Sequence, residues 1–148
     1  MKRLLPLVLI SLFLSTGCQK NNKNTSSFIE PHYEEVEEFH IEWKDLLNQK
    51  EEQYFAYVYS VTCTPCSMLR EEVISFAKEK KTNFYFIYPS DDIPFTKDEN
   101  LADASVGNDR IEDIYCYSTP TLIGIENKTI TKYSRDYTEI KGFIESYK

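Results

Sequence analysis

Two of the four cysteines, Cys63 and Cys66, are separated by two residues and stand between an aromatic, uncharged stretch and an amphipathic one. This spacing between a strand and a helix is typical of a redox-active pair. A thiol at a helix N-terminus faces unpaired backbone N–H groups and the positive end of the helix dipole, which stabilise thiolate over thiol. We therefore expect Cys63 to be the nucleophile and Cys66, one turn further along, to be the thiol that resolves a mixed disulfide.

Two other interpretations of the pair stay open. A structural zinc site needs four ligands, and the remaining candidates, His32, His40 and Cys116, are scattered along the chain. A structural disulfide without exchange activity would form readily in an exported protein. Closing so short a loop gains little chain entropy, however, and this favours a redox role.

The residues around the pair predict a strand, a helix and a second strand. Residues 53–60, QYFAYVYS, combine aromatic and β-branched residues without charge, as in a central strand covered on both faces. Apolar residues then recur at helical spacing from Cys66 onward, with Thr64 as a candidate cap and Pro65 near the helix start. Because residues 83–88, NFYFIY, predict a second strand, a parallel crossover connection is expected.

The alternation of strands and helices indicates one α/β domain over residues 31–148. The length suits a single core and is short for two domains. In chain order, the other predicted elements are an edge strand at 36–41, a short helix at 43–47, short helices at 96–104 and 109–115 around a break at Gly107, a hairpin of 121–125 and 129–133, and a final helix at 137–147.

The first residues indicate export. Lys2 and Arg3 precede an apolar run at 4–14 and the small residues 15–17, which is the order of a signal peptide. The apolar run is about half of the ~20 residues that a membrane-spanning helix needs. We therefore predict a signal peptide over residues 1–17 rather than a permanent transmembrane segment.

The end of this segment, Gly17-Cys18, resembles the lipobox of bacterial lipoproteins, in which the peptide is cut before the cysteine and the thiol receives acyl chains such as palmitate. Ser15 stands where the commonest form of the motif has leucine. Two acyl chains hold a protein at a membrane stably. The polar residues 19–27 predict a flexible tether, so that 18–30 would form a lipidated cysteine and linker. An ordinary signal peptide that leaves Cys18 as a plain thiol is the alternative.

A second motif, Thr119-Pro120, opens the later apolar stretch TPTLIGI. A C-x-P-C after the central strand, followed by x-Pro-Thr, resembles thioredoxins. In that family the proline is cis and lies against the C-x-x-C, and the residue before it holds an extended substrate segment through its backbone. The resemblance implies a thioredoxin-like fold, in which a central mixed β-sheet is flanked by helices. It also implies Cys63 and Cys66 as the catalytic redox pair, Pro120 as the cis-proline and Thr119 as a substrate-contacting residue.

The chain departs from the thioredoxin pattern at three places. Thr62 stands where thioredoxins usually carry Trp, and Tyr57 stands where they bury an Asp that assists proton transfer. We expect proton handling to differ accordingly. The stretch between 83–88 and Pro120 is longer than in minimal thioredoxins, which predicts an inserted helix or a substrate-facing loop. The overall pattern is similar to thioredoxin-like lipoproteins, including bacteriocin-transport accessory proteins.

Together these features predict a membrane-anchored, extracytoplasmic thiol–disulfide oxidoreductase that needs no cofactor and no metal. Its expected partners are protein thiols or disulfides and a membrane or extracytoplasmic redox partner. The alternative is a non-catalytic binding or accessory module for an export system. The formal charge of −7, with no basic cluster beyond the lysines at 78–81, argues against binding to nucleic acid.

Several titratable residues lie outside the two motifs. Cys116 is predicted either to be a buried, inert thiol or to lie near the redox pair and tune it. We expect His32 and His40 to be surface residues. The four glutamates within 34–38 are expected to form a solvated run.

Overall fold

The structure, a computed structural model, describes residues 32–147. The predicted signal peptide at 1–17, the acylation site Cys18 and the tether at 18–30 lie outside the described residues. Within the described range, no helix is both long and apolar enough to cross a membrane. In chain order, the elements are a 3₁₀ helix Tyr33–Phe39, a 3₁₀ helix Trp43–Asp45, β1 Gln53–Val58, α1 Thr64–Glu79, β2 Phe84–Ile87, α2 Glu99–Asp103, a 3₁₀ helix Ile111–Asp113, β3 Thr121–Glu126, β4 Thr129–Ser134 and α3 Tyr137–Glu145.

The strands form one mixed sheet in the order β2-β1-β3-β4. β1 pairs parallel to β2 and antiparallel to β3, and β3 pairs antiparallel to β4. The parallel pair is connected through α1, as the strand–helix–strand pattern predicts. The predicted hairpin also forms, with Asn127 and Lys128 at positive φ in its two-residue turn.

β1 separates two apolar cores, because successive side chains of a strand point to opposite faces of the sheet. Phe55 and Tyr57 pack with α1 and α3 in the first core. Tyr54, Ala56 and Val58 pack in the second core, on the other face. The N-terminus of α1, and with it the cysteine pair, therefore belongs to the face of the first core.

The predicted edge strand at 36–41 is wrong. The 3₁₀ helix Tyr33–Phe39 replaces most of it, because its two buried side chains are three residues apart, the spacing of one 3₁₀ turn. The glutamates of this helix are exposed, which confirms the predicted solvated run. His40 forms an isolated parallel bridge to Phe86, and the Ile41 N–H donates to the Phe86 carbonyl at 2.9 Å. The outer edge of β2 is therefore bonded to this segment.

The stretch from 88 to 120, here called the insertion, carries the additional elements that its length predicts. α2 lies within the predicted helix at 96–104, and the 3₁₀ helix Ile111–Asp113 lies within 109–115. Gly107 has φ +92° and stands between them. This backbone conformation suits glycine and accounts for the break.

The insertion also bonds to the outer edge of β4. The Ile130 N–H donates to the Asn108 carbonyl at 2.9 Å, and the Ile130 carbonyl accepts from the Gly107 N–H at 2.8 Å. Arg135, just after β4, forms ion pairs with Glu99 and Asp103 of α2. The insertion is thus held against the last strand by backbone bonds and by one cationic side chain.

Candidate functional site

Cys63 caps the N-terminus of α1. The helix begins at Thr64, and the Cys63 sulfur accepts the Cys66 N–H at 3.2 Å. The predicted cap at Thr64 is therefore wrong by one position, because the cysteine sulfur serves as the acceptor. Pro65 lies in the first turn, where its missing N–H removes no helix bond. This turn, which is fully described, carries no acidic residue, so the positive end of the helix dipole favours a thiolate at Cys63.

Cys63 and Cys66 are joined by a disulfide, with their Cα atoms 5.2 Å apart. Cys63 is partly exposed, whereas Cys66 has no exposed surface. A sulfur of another protein therefore has access to Cys63 and not to Cys66. In the part of the chain that is described, no group of three or more His, Cys, Asp or Glu residues is arranged to hold a metal ion.

The Thr119–Pro120 peptide bond is cis, as the resemblance implies. The Thr119 carbonyl oxygen lies 3.2 Å from the Cys63 sulfur. In the disulfide this sulfur carries no hydrogen, so the contact becomes a hydrogen bond when Cys63 is a thiol. The structure thus brings together the four residues predicted for the site, Cys63, Cys66, Thr119 and Pro120, while Cys18 lies outside the described residues.

The loop before the cis-proline is held by contacts with β3, β4 and the residue after β4. The Tyr117 N–H donates to the Tyr133 hydroxyl at 3.0 Å, and the Thr121 hydroxyl donates to the Ser118 carbonyl at 2.6 Å. The Arg135 guanidinium lies over the Tyr117 ring, 5.2 Å from its centroid. These contacts fix the loop that presents the Thr119 backbone to the cysteine pair.

The chain is similar, at low identity, to several solved structures. Thioredoxin f2 of Chlamydomonas reinhardtii is 13% identical with a TM-score of 0.45, and the match covers 74% of this chain and 95% of that chain. Plasmodium falciparum thioredoxin is 13% identical with a TM-score of 0.46, over 74% and 98%. Mitochondrial thioredoxin 3 of Saccharomyces cerevisiae, in its oxidised form, is 12% identical with a TM-score of 0.45, over 72% and 92%. No family model and no curated protein sequence matches this chain.

At such low identities and TM-scores, the likeness does not bear on function, and the fold is assigned from the chain's own geometry. The sheet is mixed in the order β2-β1-β3-β4, and α1 carries the cysteine pair at its N-terminus. The cis-proline immediately before β3 lies against that pair. The fold is thioredoxin-like. The two motifs that carry the resemblance to thioredoxins, C-x-x-C and Thr119-Pro120, are in contact in the structure.

A cavity of about 310 Å³ is lined by residues of the first 3₁₀ helix and of the segment after β1, up to Val61, two residues before Cys63, and sequence reasoning missed it. Tyr33 and Tyr59 stack in its wall with ring centroids 3.7 Å apart, and Val61 and Tyr88 are exposed at its rim. The cavity is lined by His32, Tyr33, Glu34, Glu37, Tyr59, Val61, Arg70 and Tyr88. Because it forms where the first 3₁₀ helix packs on the domain, no local sequence pattern indicates it.

The predicted surface position of His40 is also wrong. Its side chain is 17% exposed, and its Nε2 lies 2.8 Å from the Tyr59 hydroxyl. Its Nδ1 lies 3.1 Å from the Val36 carbonyl, and its ring stacks on Phe86. His40 therefore joins the first 3₁₀ helix to Tyr59 in the wall of the cavity.

Cys116 lies in the second core, on the opposite face of the sheet from Cys66. It is a free, fully buried thiol. Burial raises the pKa of the Cys116 thiol to about 12. This position favours the interpretation of Cys116 as a buried, inert thiol over a role in tuning the pair.

Tyr57, which stands where thioredoxins bury an acid, has no exposed surface. Its hydroxyl interacts with that of Tyr33. Burial raises the pKa of Tyr57 well above its ordinary value, and the neighbouring Tyr33 and Glu72 raise it further. The departure noted in the sequence therefore places a neutral hydroxyl in the first core, where Cys66 also lies.

Proposed function

We propose that this protein is a thiol–disulfide oxidoreductase that exchanges its Cys63–Cys66 disulfide or dithiol with protein thiols and disulfides. One observation carries the proposal: the disulfide lies at the N-terminus of α1, and its exposed sulfur contacts the carbonyl before the cis-proline at 3.2 Å. A structural disulfide without exchange activity does not require this placement. An exchange site does, because it must combine an activated sulfur with a surface that holds the substrate backbone.

The exchange follows from the asymmetry of the pair. A substrate thiolate attacks the Cys63 sulfur, the Cys63–Cys66 bond breaks, and Cys66 leaves as a thiolate. The Cys66 thiolate, or a second substrate thiolate, then attacks the mixed disulfide and releases either the original thiol or an oxidised substrate. In the opposite direction, the Cys63 thiolate attacks a substrate disulfide and Cys66 resolves the product. The Thr119 backbone, held beside Cys63, aligns an extended substrate segment.

Trapping of mixed disulfides in the native host tests this function. In Cys66→Ala, a substrate captured on Cys63 has no resolving thiol and should accumulate as a covalent complex. Cys63→Ala is the matched control, because it removes the exposed sulfur and should trap nothing. Finding no covalent complex with Cys66→Ala under conditions where the wild-type pair cycles would contradict the proposal.

The alternative, a binding module whose cysteines are incidental, predicts a different result. A Cys63→Ser, Cys66→Ser double variant should fail to restore the phenotype of a deletion strain if exchange is the function. Full complementation by the double variant would support the binding module instead. The level of the variant protein in the cell, measured by immunoblot, controls for loss of folding.

We further propose that the domain is anchored on the extracytoplasmic face of the membrane through an acylated Cys18. The support is the order of a charged start, an apolar run, small residues and a cysteine, followed by a polar stretch. Labelled palmitate should be incorporated into the wild-type protein and not into Cys18→Ala. Cys18→Ala should also leave the membrane fraction, and its retention there without label would refute the anchor.

A finer proposal concerns the type of partner. The resemblance to thioredoxin-like lipoproteins that include bacteriocin-transport accessory proteins leads us to propose cysteine-containing proteins that pass through or act in an export system. The proteins captured by Cys66→Ala identify this class directly. Recovery of captured proteins with no relation to export would eliminate this subtype and leave the exchange activity in place.

A further inference from the structure

Three cavities follow one another along the surface of the domain. The first is the cavity of about 310 Å³ described above, which reaches Val61. The second, of about 490 Å³, shares Glu37 and Tyr88 with the first. The third, of about 460 Å³, shares Trp43 and Asp92 with the second. Because each cavity shares lining residues with the next, the three form one continuous surface depression, here called the trough.

The trough leads away from the redox pair towards the insertion. At one end is Val61, which is 65% exposed and stands two residues before Cys63. Two residues of chain span at most about 7 Å. At the other end are Ile111 and Tyr115 of the insertion. A polypeptide whose cysteine is bound at Cys63 can therefore continue into the trough on one side of that cysteine.

The floor of the trough is aromatic and apolar. Tyr59 and Trp43 are buried in it, and Tyr88 is 52% exposed where the first two cavities meet. Half-buried Pro94 and Ile111 continue the apolar surface in the third cavity. Such a floor suits large apolar side chains, and the faces of its rings also attract cations.

The rim of the trough is acidic. Among the described residues that line it, five exposed carboxylates face two permanently charged cations, Arg70 and Lys44, when the histidines are counted as neutral. Lys44 pairs with Glu42 at 2.5 Å, and Arg110, which does not line the trough, pairs with Glu112 at 3.8 Å. Even with Arg110 included, negative charge is in excess. The five carboxylates are those of Glu34, Glu37, Glu42, Asp92 and Glu112.

The wall formed by the segment after the first 3₁₀ helix closes the adjacent edge of the sheet. Ile41 lines the second cavity, and its N–H donates to the Phe86 carbonyl at 2.9 Å. A chain lying in the trough therefore does not extend the sheet at this point. Its side chains, rather than its backbone, are what the floor and the rim can distinguish.

We propose that the trough binds an extended segment of a protein substrate, next to the reactive cysteine of that substrate, which carries large apolar residues together with lysine or arginine. This inference rests on the exchange function proposed above and adds a substrate class to it. The apolar side chains lie on the floor and the cations lie at the rim. Charge complementarity of this kind raises the association rate and selects among partners. A second copy of this chain is a poorer occupant, because its formal charge is −7.

Two synthetic peptides test the proposal. Both have the same apolar residues and one cysteine activated as a pyridyl disulfide, but one carries lysines and the other glutamates. The Cys63 thiolate of the reduced protein attacks the peptide sulfur and thiopyridone leaves, after which Cys66 attacks the Cys63 sulfur and releases the peptide as a thiol. Absorbance of thiopyridone gives the second-order rate constant, which is divided by that of the same peptide with dithiothreitol to correct for intrinsic reactivity.

We expect the corrected rate constant of the wild type to be at least about tenfold higher for the lysine peptide at low salt. The difference should shrink as salt is added, because salt screens exposed charges. Equal rate constants for the two peptides at low salt would overturn the proposal.

Charge variants locate this preference. Glu37→Gln combined with Asp92→Asn removes one exposed carboxylate at each junction between cavities, and the preference should fall at least about threefold. Glu126→Gln combined with Glu145→Gln is the matched control, since it removes the same charge from exposed positions that do not line the trough. The control should keep the wild-type preference, and an equal fall in both double variants would refute a role for the rim.

The floor is tested separately by Tyr88→Ser. Loss of this half-exposed ring should slow both peptides to the same extent and leave their ratio unchanged, because it removes apolar contact and no charge. The urea midpoint of unfolding controls for loss of folding. Wild-type rate constants for both peptides in this variant would contradict binding on the floor.

Carbodiimide coupling identifies the occupant directly. With the lysine peptide trapped on Cys63 of Cys66→Ala, the peptide amines should couple to Glu37 or Asp92, as mapped by mass spectrometry. Coupling of these carboxylates to lysines of this chain instead, whether from its own N-terminal segment or from a second copy, would refute a substrate as the occupant.

A small, neutral disulfide separates failure of the trough from failure of the exchange function. Dithiodipyridine is too small to extend from Cys63 into the trough, and it should convert the reduced wild type to the Cys63–Cys66 disulfide with release of two thiopyridones. Failure of this conversion would refute the exchange function itself. Conversion together with equal peptide rate constants would refute the trough alone.

Discussion

The three cysteines within the described residues differ strongly in environment. Cys63 is partly exposed at the N-terminus of α1, whereas Cys66 and Cys116 have no exposed surface. Since the thiolate is the reactive form, exposure and the helix dipole together favour reaction at Cys63. The difference in reactivity among these three cysteines is thus set by their positions within the fold.

Alkylation of the reduced protein tests this difference. With iodoacetamide at neutral pH, we expect modification at Cys63 and protection of Cys66 and Cys116 in the folded state. Peptide mapping by mass spectrometry assigns each adduct. The same reaction in denaturant should modify all three, and rapid labelling of Cys116 without denaturant would contradict its burial.

Pairing and packing of the elements explain why β3 carries glycine at position 124. A Cβ at Gly124 would lie 2.9 Å from the Lys132 Cβ and 3.1 Å from the Phe55 Cε1. The close approach of β4 and of the first core leaves no room for a methyl group. By contrast, a Cβ at Gly142 of α3 would meet no atom within 4 Å.

The two glycines therefore predict opposite effects of the same substitution. Gly124→Ala should lower the free energy of unfolding by about 1–3 kcal/mol through overpacking. Gly142→Ala should raise it by about 0.5–1 kcal/mol, because alanine is the better helix former. Urea unfolding of both variants provides the measurement, and destabilisation by both would show that a methyl group at position 142 is not accommodated on α3.

Arg135 connects α2 to the loop before the cis-proline. It pairs with Glu99 and Asp103 and covers the Tyr117 ring, and its side chain is 25% exposed. Ion pairs at this exposure contribute at most about 1 kcal/mol to global stability. Their effect should therefore appear locally, in the insertion.

Arg135→Gln should accelerate hydrogen exchange of the α2 amides with little change in the unfolding midpoint. Arg110→Gln is the matched control, since Arg110 is 70% exposed and pairs with its sequence neighbours Glu112 and Asp113. Mass spectrometry of exchanged peptides follows both variants. Equal exchange in Arg135→Gln and wild type would show that the backbone bonds to Ile130 hold the insertion unaided.

Across the whole molecule, stability should depend on pH through buried groups that stay neutral. Burial raises the pKa of Cys116 from 9.0 to about 12 and that of Tyr33 from 10.0 to about 12. Between these values the folded protein holds protons that the unfolded chain has released, so the free energy of unfolding falls as pH rises. Below pH 9 this contribution is fully retained.

The contribution of these two groups to the urea midpoint of unfolding should thus be constant below pH 9. It should decrease between pH 9 and about 12. In Cys116→Ala the fall should be shallower, because one of the shifted groups is gone. An equally steep fall in the variant would mean that the thiol does not take part. The packing lost with the buried sulfur should lower the midpoint by a similar amount at every pH, whereas the lost titration changes only its pH dependence. The two effects of Cys116→Ala can therefore be told apart.

Much of the architecture could be predicted because local signals agree with tertiary packing. The uncharged aromatic run at 53–60 is a central strand, and the C-x-x-C and Thr119-Pro120 motifs meet as the resemblance implies. The segment at 36–41 is predicted wrongly as a strand, because its helical turn depends on the tertiary contacts that bury Val36. The position of His40 depends likewise on contacts between elements distant in sequence.

Both outer strands of the sheet are bonded to non-strand segments: β2 at Phe86 and β4 at Ile130. Open strand edges invite other chains to add on as further strands. A protein with the exchange function proposed above would meet extended, unpaired polypeptides as its substrates. Because Phe86 and Ile130 already bond to segments of the same chain, less of the sheet backbone is open to such a polypeptide, which lowers the risk that a captured substrate adds to the sheet and starts an aggregate.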